Sequence, residues 1–287
     1  MRALAEFIMR GRAQACAVGL LGNLFPFVSP ATIGLVTLRK GSGEGLLVAL
    51  WAVLPLIVTL YISDSSPLLT AVSVASLFMM VVSANVLTWS ASWSWTILTC
   101  VIVGGFISIG LGFALADDVE LLVAEIGEVI AKLVVEPTSE RQVSVPVPQF
   151  ILGLVAWVLA LSAVVSLMLS RWWQSLLFNP GGFQEEFHSL RLSNQLAVMV
   201  LIAVVAGFYL PTEYRPWAQL AAIPLLLSGV ALIHHVVKTL QLGGQWLVLM
   251  YFGLIVFSPT TGALLVGLAF SDSMLNLRSR LAAIKNR

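Results

Sequence analysis

Charge is what this chain has least of. Lys, Arg, Asp and Glu make up only 10% of its 287 residues, where a soluble domain carries about 25%. Basic and acidic residues nearly cancel, 15 against 14 for a net charge of +1, so a nucleic-acid partner is not expected. Cysteine is scarce too. Cys16 and Cys100 lie far apart in apolar runs, with no CxxC and no Cys/His cluster, so neither a disulfide framework nor a zinc site is indicated. The GxxxxGK[ST] order of a nucleotide loop is missing; Arg39-Lys40-Gly41-Ser42-Gly43-Glu44-Gly45 is glycine-rich but reads as a turn. No GxSxG elbow or HExxH pair names a nucleophile or metal centre, so no enzyme activity, cofactor or metal is expected.

What remains is hydrophobic: 59% of the residues. Six plain apolar runs, at 46–62, 67–88, 93–115, 149–170, 194–210 and 217–237, are read as spans across a hydrocarbon core of about 30 Å. None holds an Asp, Glu, Lys or Arg at mid-depth, which argues against a proton pump or antiporter, because intramembrane ionisable residues mark such paths. Two further runs are broken by proline. Ala13 to Leu38 carries Phe25-Pro26 and Ser29-Pro30, and Trp246 to Phe270 carries Ser258-Pro259-Thr260-Thr261-Gly262. Proline at mid-depth frees backbone groups that lipid cannot satisfy, so both read as half-helix or re-entrant segments. The expected class is therefore all-α: one polytopic helical integral membrane domain over 1–287, with short amphipathic surface helices.

Four flanking pieces complete it. Residues 1–12 put Leu4, Phe7 and Ile8 on one side and arginines on the other, as an interfacial helix does. Arg2, Arg10 and Arg12 ahead of an apolar run look like a signal peptide, but no A-x-A site follows, so a retained first segment is expected. The acidic stretch 117–148 should be periplasmic, with a surface helix at 118–135. Its stripe is Val119, Leu122, Ile126, Val129, Ile130 and Leu133, opposite Glu120, Glu125, Glu128 and Lys132, and an extended SVPVP tail from Ser144 to Pro148 follows. Residues 171–193 form a cytoplasmic aromatic loop, and 271–287 a basic cytoplasmic tail.

Orientation follows from the cations. With both broken runs as hairpins, Arg2, Arg10, Arg12, Arg39, Lys40, Arg171, Arg191, Lys238, Arg278, Arg280, Lys285 and Arg287 share one side, and only Lys132, Arg141 and Arg215 face the other. Asp64, Asp117, Asp118, Glu120, Glu125, Glu128, Glu136, Glu140 and Glu213 fall on that second side. The positive-inside rule makes the basic side cytoplasmic, with both termini inside, as expected for a multi-pass protein of a bacterial inner membrane.

The ligand candidates lie in the broken runs. Ser29-Pro30-Ala31-Thr32-Ile33-Gly34 echoes Ser258-Pro259-Thr260-Thr261-Gly262, and paired interruptions are the sequence pointer to a site built from half-helix ends. Asn23, Ser29, Thr32, Thr260 and Thr261 are its candidate ligand-binding residues. The loop RWWQSLLFNPGGFQEEFHSLR is the candidate docking surface. Arg171, Trp172 and Trp173 close a span as an interfacial belt would, and Asn179-Pro180-Gly181-Gly182 breaks the chain. Phe183, Phe187 and Leu190 then form an apolar face, and Glu185, Glu186, His188 and Arg191 are expected to face the cytoplasm. Ala13 and Ala17 give a small-residue pair for a partner helix; Gly104, Ser108 and Gly112 give another that reads as internal packing. His234-His235, with Lys238 one turn on, could assemble a metal site with Glu185, Glu186 and His188, but nothing fixes their spacing, so helix-end or headgroup contacts are the expectation. Asp272 and Asn276 share a face and are read as ending the last membrane helix.

Three stretches resemble a known family: MRALAEFIMRGR with LVTLRKG (Leu35 to Gly41), RWWQSLLFNPGGFQEEFHSLRL, and GLAFSDSMLNLRSRL (Gly267 to Leu281). Together they are similar to the YybS-like family of uncharacterised bacterial multi-pass membrane proteins, which implies location and architecture more than activity. A remoter likeness is to the substrate-binding S-components of energy-coupling-factor transporters, whose first helix docks a partner through an A-x-x-x-A surface like Ala13-x-x-x-Ala17. The expected function is a substrate-binding transporter subunit for a small neutral or amphiphilic molecule, energised by a separate ATPase partner. The alternative is a non-enzymatic envelope assembly factor that docks protein partners or lipid headgroups.

Overall fold

The computed structural model describes residues 1–63, 66–133 and 147–285. These residues are mostly helical, with no strand among them, as expected of an all-α polytopic membrane protein. Among the described residues five helices are long and apolar enough to cross a bilayer: α4 (Ser42–Ile62), α5 (Pro67–Ser90), α6 (Trp93–Ala114), α8 (Pro148–Phe178) and α11 (Arg215–Thr239). The sixth run, read as a plain span over 194–210, is shorter. Its helix α10 (Asn194–Phe208) has 15 residues, a rise of about 22 Å. The short helix before it, α9 (Gly182–Ser189), meets it at a 66° bend.

Both proline-broken runs fold back on themselves. In the first, α2 (Arg12–Leu21) and α3 (Val28–Lys40) are joined by a 3-10 turn at Gly22–Leu24. Pro26 lies in the break and Pro30 in the first turn of α3, where its missing N–H leaves no helical bond unmade. Ser29 Oγ donates to the Gly19 carbonyl across the hairpin at 2.6 Å. Arg12 at its start pairs with Glu44 just past its end, so entry and exit lie at one end of the bundle. In the second, α12 (Gln245–Val256) turns at Phe257 into α13 (Ser258–Leu275). A Cβ on Gly253 would meet Thr261 at 3.0 Å, and Met250 and Leu265 share one cluster. An approach that close between residues eight apart in sequence requires the chain to turn back sharply at Phe257.

The core is organised around α3 and α8. α3 buries Ser29 and the run from Ala31 to Thr37 against α2, α4, α5 and α8. Ser170 Oγ of α8 donates to the Ala31 carbonyl at 2.9 Å. The Gly104/Ser108/Gly112 stripe packs inward on α8, as the small-residue spacing suggested. A Cβ on Gly104 would lie 3.2 Å from the Ala156 carbonyl, and Ser108 Oγ donates to Leu152 O at 2.5 Å. Such residues let two helices approach closely where lipid supplies no hydrophobic force between them.

Several boundaries differ from the sequence reading. α8 does not stop at residue 170; it continues through Arg171 to Phe178, because nothing in SRWWQSLLF breaks a helix before Asn179-Pro180. Trp173 is fully buried inside the protein rather than set in the headgroup belt, while Trp172 is exposed. The acidic helix α7 (Ala116–Leu133) follows α6 after one residue. Val119 is buried, but Val129 on the same stripe is exposed. The side chains of Ile130 and Leu133, the residues Asp64, Glu136, Glu140, Arg141 and Arg287, and the SVPVP tail from Ser144 to Pro146 lie outside the described set. The first helix, α1 (Arg2–Arg10), packs on α2, α3 and α8. It buries Ala5 and Ile8 and leaves Phe7 partly exposed.

Candidate functional site

The most built part of the molecule is the end where the basic segments meet. After α8 the Asn179–Gly182 turn reverses the chain, with Gly181 at φ 90, a conformation glycine accepts without strain. α9 then lies back on the bundle. Phe183 stacks edge-on against Trp93 at 6.1 Å and face-on against Phe187 at 6.0 Å, and Leu190 is buried. Glu186 receives two bonds from the Arg171 guanidinium, at 2.6 and 3.0 Å, and one from Trp93 Nε1 at 3.4 Å. Ser94 Oγ donates to the Arg191 carbonyl at 2.9 Å, joining the α5–α6 turn to the same face.

The last helix, α14 (Leu277–Lys285), brings in Arg278. Its Nε donates to Asp272 Oδ2 at 2.9 Å, Nη1 to the His188 carbonyl at 2.5 Å, and Nη2 to the Leu190 carbonyl at 2.6 Å. Asp272 is fully buried and Arg278 nearly so. A buried cation is tolerable only when paired and hydrogen-bonded all round, and this arrangement satisfies it from three chain segments, the third being α11, whose Ser228 carbonyl accepts from Nη2 at 3.4 Å. Asn276 supplies the αL residue (φ 50) that turns α13 into α14, and its Oδ1 accepts from Arg191 Nη1 at 2.5 Å.

Two clefts open beside this clamp. One, of about 480 Å³, is lined by Trp93, Arg171, Glu186, Ser92, Ser94 and Thr88 among others. The other, of about 840 Å³, is lined by Glu185, His188, His235, Lys238, Thr239, Gln241 and Arg278. Ser189 and Arg191 line both, so the two form one groove across the end of α9. The His188 ring lies 6.1 Å from His234 and 6.3 Å from His235. His234 Nε2 meets Tyr251 Oη at 2.9 Å. Burial, helped by the charges of Lys238, the neighbouring histidines and Arg278, pushes the His188 imidazole down to about 4. At neutral pH it is an uncharged donor and acceptor within a field of fixed cations. Among the described residues no group of three His, Cys, Asp or Glu side chains is placed to hold a metal ion.

No family model, curated protein or solved structure matches this chain.

The other candidate residues are spread through the fold. Asn23 Nδ2 donates to Ala52 O at 2.7 Å, tying the first hairpin to α4 as Ser29 ties it to itself, while Thr32 Oγ1 donates to Val28 O at 2.8 Å within α3. Thr260 is exposed and Thr261 half-buried at the tip of the second hairpin. α3 packs on α2, α4, α5 and α8, whereas α13 packs on α10, α11, α12 and α14; the two interruptions sit in different neighbourhoods. Ala13 and Ala17 face outward.

In the 171–191 stretch the expected exposure is corrected. Of the docking residues expected there, only Trp172 and Glu185 are exposed. His188 is buried, Glu186 is paired, and Phe183 and Arg191 are half-buried, because α9 packs its apolar side on protein rather than lipid. The groove recruits three groups that sequence reading had left apart or given other work: Arg278, Asp272 and His235. The available signal was Asp272 itself, the lone carboxylate in the closing apolar stretch, with an arginine six positions on.

Proposed function

We propose that this chain is a non-catalytic membrane subunit that binds a small amphiphilic molecule, with the polar end of the ligand in the groove between α9, α11 and α14. The observation that carries this reading is the groove itself. Its two clefts meet at Ser189 and Arg191, are lined by charged and aromatic side chains, and stand at the end of the bundle. A purely neutral ligand suits that lining less well, since Arg191 and Lys238 would lose hydration without gaining a partner.

Within this reading the protein is a bacterial inner-membrane protein of the YybS-like kind, with its basic end cytoplasmic, and works with a separate energising partner. The outward-facing Ala13 and Ala17 on α2 offer a close-approach surface for such a partner helix. The same outward alanines would serve an envelope assembly factor, which is the second reading. A native mass spectrum of gently solubilised protein tests the choice. The proposed function expects a bound amphiphile of defined mass in preparations from several detergents. A ligand-free spectrum with a stoichiometric envelope protein attached would instead favour the assembly factor.

A further inference from the structure

Resting on the reading of the groove as the ligand site, we propose that its larger cleft takes a phosphate-bearing headgroup, held by Arg191 and Lys238 with the imidazoles of His188 and His235 as hydrogen-bonding partners.

The charge balance of the cleft points there. Three cations line it, and Arg278 is already neutralised by Asp272. The other two are not: Arg191 reaches the amide oxygen of Asn276, and Lys238 Nζ reaches Gln184 Oε1 at 3.1 Å. Among the described residues neither lies within salt-bridge distance of a carboxylate, and Glu185, the one carboxylate in the lining, is exposed and in no described ion pair. The cleft therefore keeps an uncompensated positive field at short range.

The histidines around it add capacity of the right kind. The Nε2 of His235 is buried with no hydrogen-bond partner, and a buried polar nitrogen left unpaired is costly unless a ligand or water meets it. His234, by contrast, is occupied by Tyr251. A phosphate group supplies several strong acceptor oxygens. It can take a bidentate contact from a guanidinium, a point charge from an ammonium and neutral bonds from imidazole N–H groups together. With a bidentate guanidinium these four groups make five donor contacts, one more than the roughly four lone-pair sites of a carboxylate. The site opens at the end of the helices, so the phosphate of a membrane lipid and a free phosphate both reach it.

Calorimetric titration of the full chain in a non-ionic detergent separates the cases. The probes are short-chain phosphatidic acid, diacylglycerol of the same chain length, and inorganic phosphate. Phosphatidic acid should bind at least about tenfold more tightly than diacylglycerol, and Lys238→Gln should reduce that affinity about tenfold, the loss expected for one charge-assisted bond. The Lys238 side chain is exposed, so its replacement leaves the fold intact; Arg191→Gln, checked by its unfolding temperature, should give a similar loss. Competition by inorganic phosphate assigns the site to phosphate as such, and its failure to compete assigns it to lipid. Equal binding of the two lipids, or wild-type affinity in both variants, overturns the phosphate assignment while leaving an amphiphile site standing. Binding of neither lipid overturns both.

Discussion

Arg278 Nε lies 2.9 Å from Asp272 Oδ2 in a pair that is almost wholly enclosed, and the same guanidinium holds the carbonyls of His188 and Leu190. One residue of the closing helix therefore fixes the turn after α9, and with it the floor of the groove.

Breaking that pair should be severe. Asp272→Asn leaves the Arg278 charge buried beside a neutral amide, at a cost of about 3–5 kcal/mol. Replacing both residues, Asp272→Asn with Arg278→Met, removes the uncompensated charge and should recover part of the loss. Thermal unfolding of the three proteins in one detergent would show it, with the single variant least stable.

Stability should also depend on the protonation of His188. Its folded-state value of about 4 lies below its ordinary 6.5, so the unfolded chain binds the proton more readily. The native state is then at full strength above about pH 6.5 and weakens as pH falls toward 4. Wild type compared with His188→Gln across this window isolates the contribution. The variant's unfolding midpoint should fall less steeply, and parallel curves would show that His188 does not titrate there.

Helix approach along α6 should be intolerant of bulk. Gly104→Val puts branched carbons against the Ala156 carbonyl, where even a Cβ would stand only 3.2 Å away. Overpacking of this kind costs about 1–3 kcal/mol. Gly110→Val, where a Cβ meets nothing within 4 Å, is the control and should unfold close to wild type.

Both hairpins return to the end they leave. Single cysteines placed at Arg10 and Arg39, flanking the first hairpin, and at Gln241 and Ser279, flanking the second, in a background lacking Cys16 and Cys100, should react with an impermeant maleimide from one side of sealed vesicles. A cysteine at Ser66 should react only from the other. Labelling of Arg10 and Arg39, or of Gln241 and Ser279, from opposite sides would contradict the hairpin geometry.

Much of this architecture was legible in the sequence, for physical reasons. Long apolar runs leave a chain in lipid no option but helix, and Pro26, Pro30 and Pro259 announced the two breaks. The count of cations had already grouped the segments that the structure gathers at one end: Arg12 near Glu44, Arg39 over the Phe178 ring at 4.2 Å, and Arg191 on Asn276. What periodicity could not convey was which partner an amphipathic face meets. The face of Phe183, Phe187 and Leu190 fits lipid or protein equally well on a helical projection, and only the packing of α9 on Trp93 decides for protein. The groove was opaque for a related reason. The members of its larger cleft come from residues 185–191, 235–241 and 278, and no local spacing links them. Histidines in adjacent positions look like helix-end residues until the third arrives from another element.

The central claim is that a ligand's polar end sits in this groove rather than at the hairpin tips. A photoactivatable amphiphile with the reactive group beside its head, cross-linked to the full chain and mapped by peptide mass spectrometry, tests it most directly. Adducts should concentrate in 185–191 and 235–241 and fall away in Lys238→Gln. Adducts centred instead on Asn23 to Thr32 or on Thr260 and Thr261, unchanged by that substitution, would place the ligand elsewhere and contradict the account.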